Sequence, residues 1–170
     1  MKLESLPQLL EDELKDLYSA ETQLVKALPK IAHKANSPKL REAITSHLRE
    51  TEGHVERLHT IGKQLNIKLT GKVCKAMEGL IAEGKEYLDD KGEPALIDAA
   101  LIGAAQRVEH YEMAGYGTAR AMAERLGESE VVELLQATLD EEKAADQKLT
   151  QIAEEEVLVG AAAGEGKDEA

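Results

Sequence analysis

Seven acidic or imidazole side chains sit at helical spacing within or beside stripes that are otherwise apolar: Glu21, Glu50, His54, Glu109, Glu112, Glu142 and Asp146. A lone buried carboxylate is costly and tends to take up a proton, and several at one level repel one another. Two divalent cations would neutralise most of that charge and supply the missing partners. Carboxylates joined by one or two imidazoles suit iron or manganese better than a structural zinc. The competing reading is a polar core layer bridged by waters or paired with Arg and Lys.

The facing directions follow from about 100° of rotation per residue. Leu10, Leu14, Leu17, Val25 and Leu28 all lie within about 40° of Glu21, which places it mid-stripe. Val131, Leu135, Leu149 and Ala153 fall within about 20° of Glu142, with Asp146 at about 40°. Ile102, Ala105, Met113 and Tyr116 flank Glu109, with Glu112 at about 60°. A fourth stripe of Leu40, Ile44, Leu58 and Leu65 contains His47, Thr51 and His54, with Glu50 on its edge. His54 is the preferred imidazole ligand, and His47, three before Glu50, is its competitor. Tyr18 and Tyr116 face the core beside these residues, either as hydrogen-bond donors to a ligand or as packing. The literal Glu-x-x-His of the chain, Glu56 to His59, is set aside because Glu56 points about 180° from His47, toward solvent.

Four long helices must carry these stripes. Ser5 with Gln8 reads as a capped start for the first, which runs to about Ala35, with a kink or break expected at Pro29. Asn36-Ser37-Pro38 is a turn in which Ser37 caps the second helix. Residues 66–72 form a loop, and a shorter helix runs from Val73 to about Leu88. The third long helix extends from Pro94 to about Leu126, closed by Gly127, and Ser129 is the expected cap of the fourth. Heights agree with the turns: Glu21–Glu50 centres between residues 35 and 36, at the Asn36-Ser37 turn, Glu112–Glu142 on Gly127, and Glu109–Asp146 between 127 and 128. Two hairpins joined by a long connection give an all-α, ferritin-like four-helix bundle with an extra crossover helix between its second and third helices. Residues 1–159 form this domain, and 160–170 read as a flexible acidic tail.

Composition narrows the function further. At 170 residues the chain is large enough for one domain with a real core, built without Phe or Trp. Its net charge of −12 opposes binding to nucleic acid or an anionic membrane. No stretch approaches the roughly 18 apolar residues of a membrane span, and the first residues lack a signal-peptide core, so a cytoplasmic protein is expected. Cys74, the single cysteine, excludes an intrachain disulfide and fits a reducing compartment.

The segments LYSAETQ (17–23), HLRETEGH (47–54), CKAMEGL (74–80), AAQRVEHYE (104–112) and LDEEKAAD (139–146) resemble the YciE/YciF family of bacterial ferritin-like stress proteins, in one register over roughly residues 6–155. The resemblance implies a ferritin-like fold, a rubrerythrin-like metal site, a homodimer and induction under stress. Two iron ions per chain, or manganese, are the expected cofactor, and a small oxidant the candidate substrate. Glu21 and Glu109 would be ligands from opposite hairpins. Glu50 and Glu142 are the bridging candidates, and His54, Glu112 and Asp146 would complete the set. The chain departs from ferritins and rubrerythrins in lacking a histidine after Glu142, where Asp146 stands instead, and in lacking a Cys-x-x-Cys. Two functions are therefore carried forward: a metal-binding stress protein with oxidase, peroxidase or catalase-type chemistry, and a non-enzymatic helical dimer acting as a scaffold.

Overall fold

Ser5 opens α1 (Leu6–Lys34) by accepting the Gln8 N–H at 3.4 Å, and the Gln8 side chain in turn accepts the Glu4 N–H at 3.1 Å. The computed structural model describes residues 4–164. Within them α1 runs through Pro29 without a break, since that proline lies on an exposed face only a turn from the helix end. Ser37 caps α2 (Pro38–Gln64) through the Leu40 N–H at 3.2 Å, with Pro38 at the first helical position, where no N–H is needed. Gly127 closes α4 (Pro94–Leu126) in the left-handed region, at φ 80°. The expected serine cap at position 129 is not used. Ser129 is the first residue of α5 (Ser129–Ile152), and Glu128 stands before it without a side-chain capping bond.

α3 (Lys75–Lys85) is shorter than expected at both ends, because Cys74 takes the capping position and Val73 stays exposed. Beyond Ile152 the chain passes through a π-helical turn, Ala153–Val157, into α6 (Leu158–Gly164). Helix therefore continues into the first part of the stretch read as a tail; residues 165–170 lie outside the described residues.

The four long helices form a square. Glu21 reaches His54 across α1 and α2, Tyr116 reaches Glu21 across α1 and α4, Arg57 reaches Glu141 across α2 and α5, and Gln106 reaches Asp146 across α4 and α5. Further contacts fix directions. Asn36 meets Asp98 while Tyr111 meets Asp16, so α1 and α4 are antiparallel. Gln64 meets Glu130 while Ser37 meets Glu156, so α2 and α5 are too. The α2–α4 connection must therefore travel the length of the bundle. It does so along α1: Lys72 bonds Asp12 near the start of that helix, and the Lys34 ammonium near its end bonds the Asp90 carbonyl. α3 lies on this path, packed on α4 and α1. One close approach serves the site directly. A Cβ on Gly115 would stand 2.8 Å from Leu17 Cδ2, so glycine lets α4 press against α1 beside Glu21.

The apolar interior is divided in two. One cluster holds Leu10, Leu14, Leu17, Leu58, Tyr116 and Leu135; the other holds Leu24, Leu28, Ile44, Met77, Ile102 and Leu149. On every long helix buried polar residues stand where the two clusters meet.

Candidate metal centre

Those intervening residues are Glu21 on α1, His47, Thr51 and His54 on α2, Glu109 and Glu112 on α4, and Glu142 on α5, all buried. Their ligand atoms fall into two groups, each with all its atoms within 4.8 Å of one another: Glu21, His54 and Glu142, and His47, Glu109, Glu112 and Glu142. Glu142 belongs to both. His54 Nδ1 lies 3.3 Å from Glu21 Oε1 and 3.1 Å from Glu142 Oε1, while His47 Nε2 lies 3.2 Å from Glu109 Oε1. The Tyr116 hydroxyl donates to Glu21 at 2.5 Å.

Glu50 and Asp146 stand outside both groups. The Glu50 side chain is 44% exposed, 3.5 Å from His47 Nδ1, and Glu21 meets His54, one turn further along α2, in its place. Asp146 accepts a bond from Gln106 at 3.0 Å and lies 3.4 Å from His110 Nε2, a turn away from Glu142 and nearer the surface. His47 and His54 fall in different groups, one in each. Glu56 is exposed, and His59 contacts Tyr18 rather than an acid.

One functional contact was not anticipated. Glu141 lies 2.9 Å from His54 Nε2 and is itself clamped by Arg57, whose two guanidinium nitrogens donate at 2.6 and 2.7 Å. Nε2 faces Glu141, and Nδ1 on the other side of the ring faces Glu21 and Glu142. The signal was present in the chain: His54 and Arg57 are three apart and so share a face.

The electrostatics are those of an interior short of positive charge. Burial raises Glu109 well above the usual carboxylate range, and the charge of Glu142 adds to this. Burial does the same to Glu112, reinforced by Glu21 and Glu142. Glu21 is also raised by burial, against the pull of His54. For His54 burial works downward, but the facing carboxylates of Glu142 and Glu21 together push it up to about 10. Burial works upward on Glu142, but the facing His54 imidazole holds it below its ordinary value. Among the described residues, every buried side-chain nitrogen or oxygen without a hydrogen-bond partner, save Arg120 Nε, belongs to Glu21, His47, His54, Glu109, Glu112 or Glu142. Both oxygens of Glu112 are orphaned in this way. Buried polar atoms are ordinarily paired, so a whole layer of orphans marks donors oriented for something else. Four carboxylates and two imidazoles, held without basic side chains among them, could hold a metal ion. A cavity of about 380 Å³, lined by His47, Glu50, Glu109 and Glu141, opens onto this layer from the α2–α5 side.

Comparison with known proteins agrees with this architecture. A family model described as Domain of unknown function (DUF892) matches residues 5–162. Protein YciF of Escherichia coli K12 is 44% identical over 154 residues, covering 90% of this chain and 93% of that protein. The crystal structure of the E. coli stress protein YciF superposes with a TM-score of 0.86, covering 89% of this chain and 96% of that one. YcfI of Rhodopseudomonas palustris, 43% identical, gives the same TM-score over 89% of this chain and 97% of its own. A Xanthomonas campestris protein only 18% identical still reaches 0.74 over 95% of this chain and 99% of that one, a likeness of fold alone.

Proposed function

The chain belongs to the family described as Domain of unknown function (DUF892), and on that premise we propose that it is a ferritin-like stress-response protein holding a dinuclear iron or manganese centre between its four long helices. The observation that carries this reading is the orphaned, buried donor layer in which Glu142 is common to two ligand groups. Glu21, His47, His54, Glu109, Glu112 and Glu142 would hold the ions, Glu142 being common to both groups. Ionised, the four glutamates carry four negative charges, which two divalent ions cancel with both imidazoles neutral. Glu141 and Arg57 keep His54 aimed inward, and Tyr116 steadies Glu21. Bound iron or manganese supplies one-electron redox chemistry, suited to a small oxidant such as a peroxide. Such an oxidant reaches the layer through the His47–Glu109 cavity. Stress function is drawn from the E. coli relative, described as a stress protein. The protein works in the cytoplasm, consistent with a free, buried Cys74; among the described residues no helix is long and apolar enough to cross a membrane. It works as a homodimer. Leu96, Leu158 and Val159 are more than half exposed where α6 packs on α4 and would serve such contact.

Anaerobic loading with ferrous or manganous ion, followed by elemental analysis, tests the proposal. About two ions per chain are expected, falling below one in Glu142→Ala; fewer than one in the unaltered protein overturns it. One observation favours a second reading, a helical scaffold whose acidic layer is neutralised by protons alone. Glu109 and Glu112 are raised and His54 is pushed up to about 10, so protons already lower the charge. On that reading Glu21→Ala and Glu142→Ala raise stability and leave the cellular role intact.

A further inference from the structure

A second cavity, of about 320 Å³, lies beneath the crossover helix between α1, α3 and α4. Its walls are aliphatic, with Leu24, Leu28, Ile81, Leu88 and Val108 among them. The one buried polar residue in its lining is Glu109, 2% exposed, with Oε2 unpartnered. Lys26, Lys30 and Lys85 line the cavity as well, and all three are exposed at its mouth. None of them forms an ion pair among the described residues, and the acid at the same rim, Glu78, is already taken by Lys75 at 2.6 Å. In a chain of net charge −12, three free ammonium groups around one apolar opening are a local reversal of sign.

We propose that this cavity binds a medium-chain carboxylate, its head against Lys26, Lys30 and Lys85 and its aliphatic chain directed inward toward Glu109. The proposal deepens the metal-centre reading by naming a substrate class for it, since Glu109 is one of the candidate ligands. Charge complementarity at the rim selects an anionic head, and the aliphatic walls select an unbranched hydrocarbon tail. The volume suits a ligand of on the order of ten methylene groups, at about 30 Å³ for each water-sized unit, and lies at the small end of ordinary ligand pockets.

Calorimetric titration of laurate into the full chain, metal-free and manganese-loaded, tests this. Dodecyltrimethylammonium serves as the control, because non-specific binding to so acidic a protein favours the cation. Laurate is expected to bind in the micromolar range and the cation at least about tenfold more weakly. The combined variant Lys26→Glu, Lys30→Glu, Lys85→Glu, all at exposed positions, should weaken laurate about tenfold or more, and Ile81→Trp should block it. In the manganese-loaded protein the methyl end of laurate should be broadened in its proton spectrum more than the methylene next to the carboxylate. Laurate binding no tighter than the cation, binding unmoved by both variants, or broadening strongest at the head overturns the proposal. So does an absence of laurate binding accompanied by a shift of oligomeric state in the lysine variant, which would make the groove a contact between two copies. Metal content, measured in parallel, separates the two readings: laurate bound without metal removes the centre and keeps the cavity, and metal bound without laurate does the reverse.

Discussion

Tyr116, Glu112 and Glu141 surround the same ions on the proposed reading, yet their removal should have three different signatures. The Tyr116 hydroxyl donates to Glu21 Oε1, and both groups are buried. Tyr116→Phe should therefore cost the metal-free protein about 1–3 kcal/mol in denaturant unfolding, the penalty of one more unsatisfied buried acceptor. Glu112 gains nothing in the metal-free state, since neither of its oxygens has a partner. Glu112→Leu should raise metal-free stability by about 1–3 kcal/mol while lowering the ions bound per chain. Glu141 is half-exposed and acts on His54 rather than on an ion. Glu141→Gln should reduce metal affinity by about 10–100-fold, measured by competition with a chelator. At this scale the sequence was readable wherever a residue's role follows from its own helix. Glu21, Glu109 and Glu142 sit mid-stripe and are buried. Glu50 was harder to place, because its edge position left two directions open and only the packing of α2 against α1 decides between them. Glu141 was missed for a related reason: it lies beside the stripe, and its partners are on another helix.

The elements are held to one another by a few polar ties at the bundle end where the α1–α2 turn meets α4. Asp98, 3% exposed, accepts the Asn36 N–H at 2.8 Å and the Ser37 N–H at 2.7 Å. Asp98→Ala would strand both donors, so a loss of about 1–3 kcal/mol is expected, visible as a lower denaturant midpoint at unchanged slope. The helix boundaries set by Pro38, Pro94 and Gly127 were legible because each of these residues acts on its own backbone. The serine at 129 misled because Gly127 already turns the chain, and Glu128 then occupies the position before the helix. The path of the crossover could not be read from periodicity. It depends on single long-range bonds, Lys72 to Asp12 and Lys34 to the Asp90 carbonyl, which leave no pattern in the chain.

For the molecule as a whole, the acidic layer ties stability to pH. Glu109 and Glu112 are raised above their unfolded values, and His54 is raised from 6.5 to about 10. The folded, metal-free protein therefore holds protons that the unfolded chain releases, so the stabilisation is greatest at low pH and is lost as pH rises. Glu142, lowered, acts oppositely but only in the acid range below 4.5. Thermal unfolding of the metal-free protein should show a midpoint that falls between about pH 5 and pH 9. Loading with metal should reverse that trend and release protons, detectable in weakly buffered solution, because ligands bind metal in their deprotonated form.

The division of the hydrocarbon interior by this layer has a consequence for assembly. Each long helix carries apolar residues above and below a short polar insert, so a helix displaced axially by one turn would thrust a carboxylate among apolar neighbours and leave the opposing imidazole facing methyl groups. Uniform greasy seams tolerate sliding; these do not. The same side chains proposed to grip ions thus act as alignment marks, admitting only one longitudinal setting of the four rods before any ion arrives.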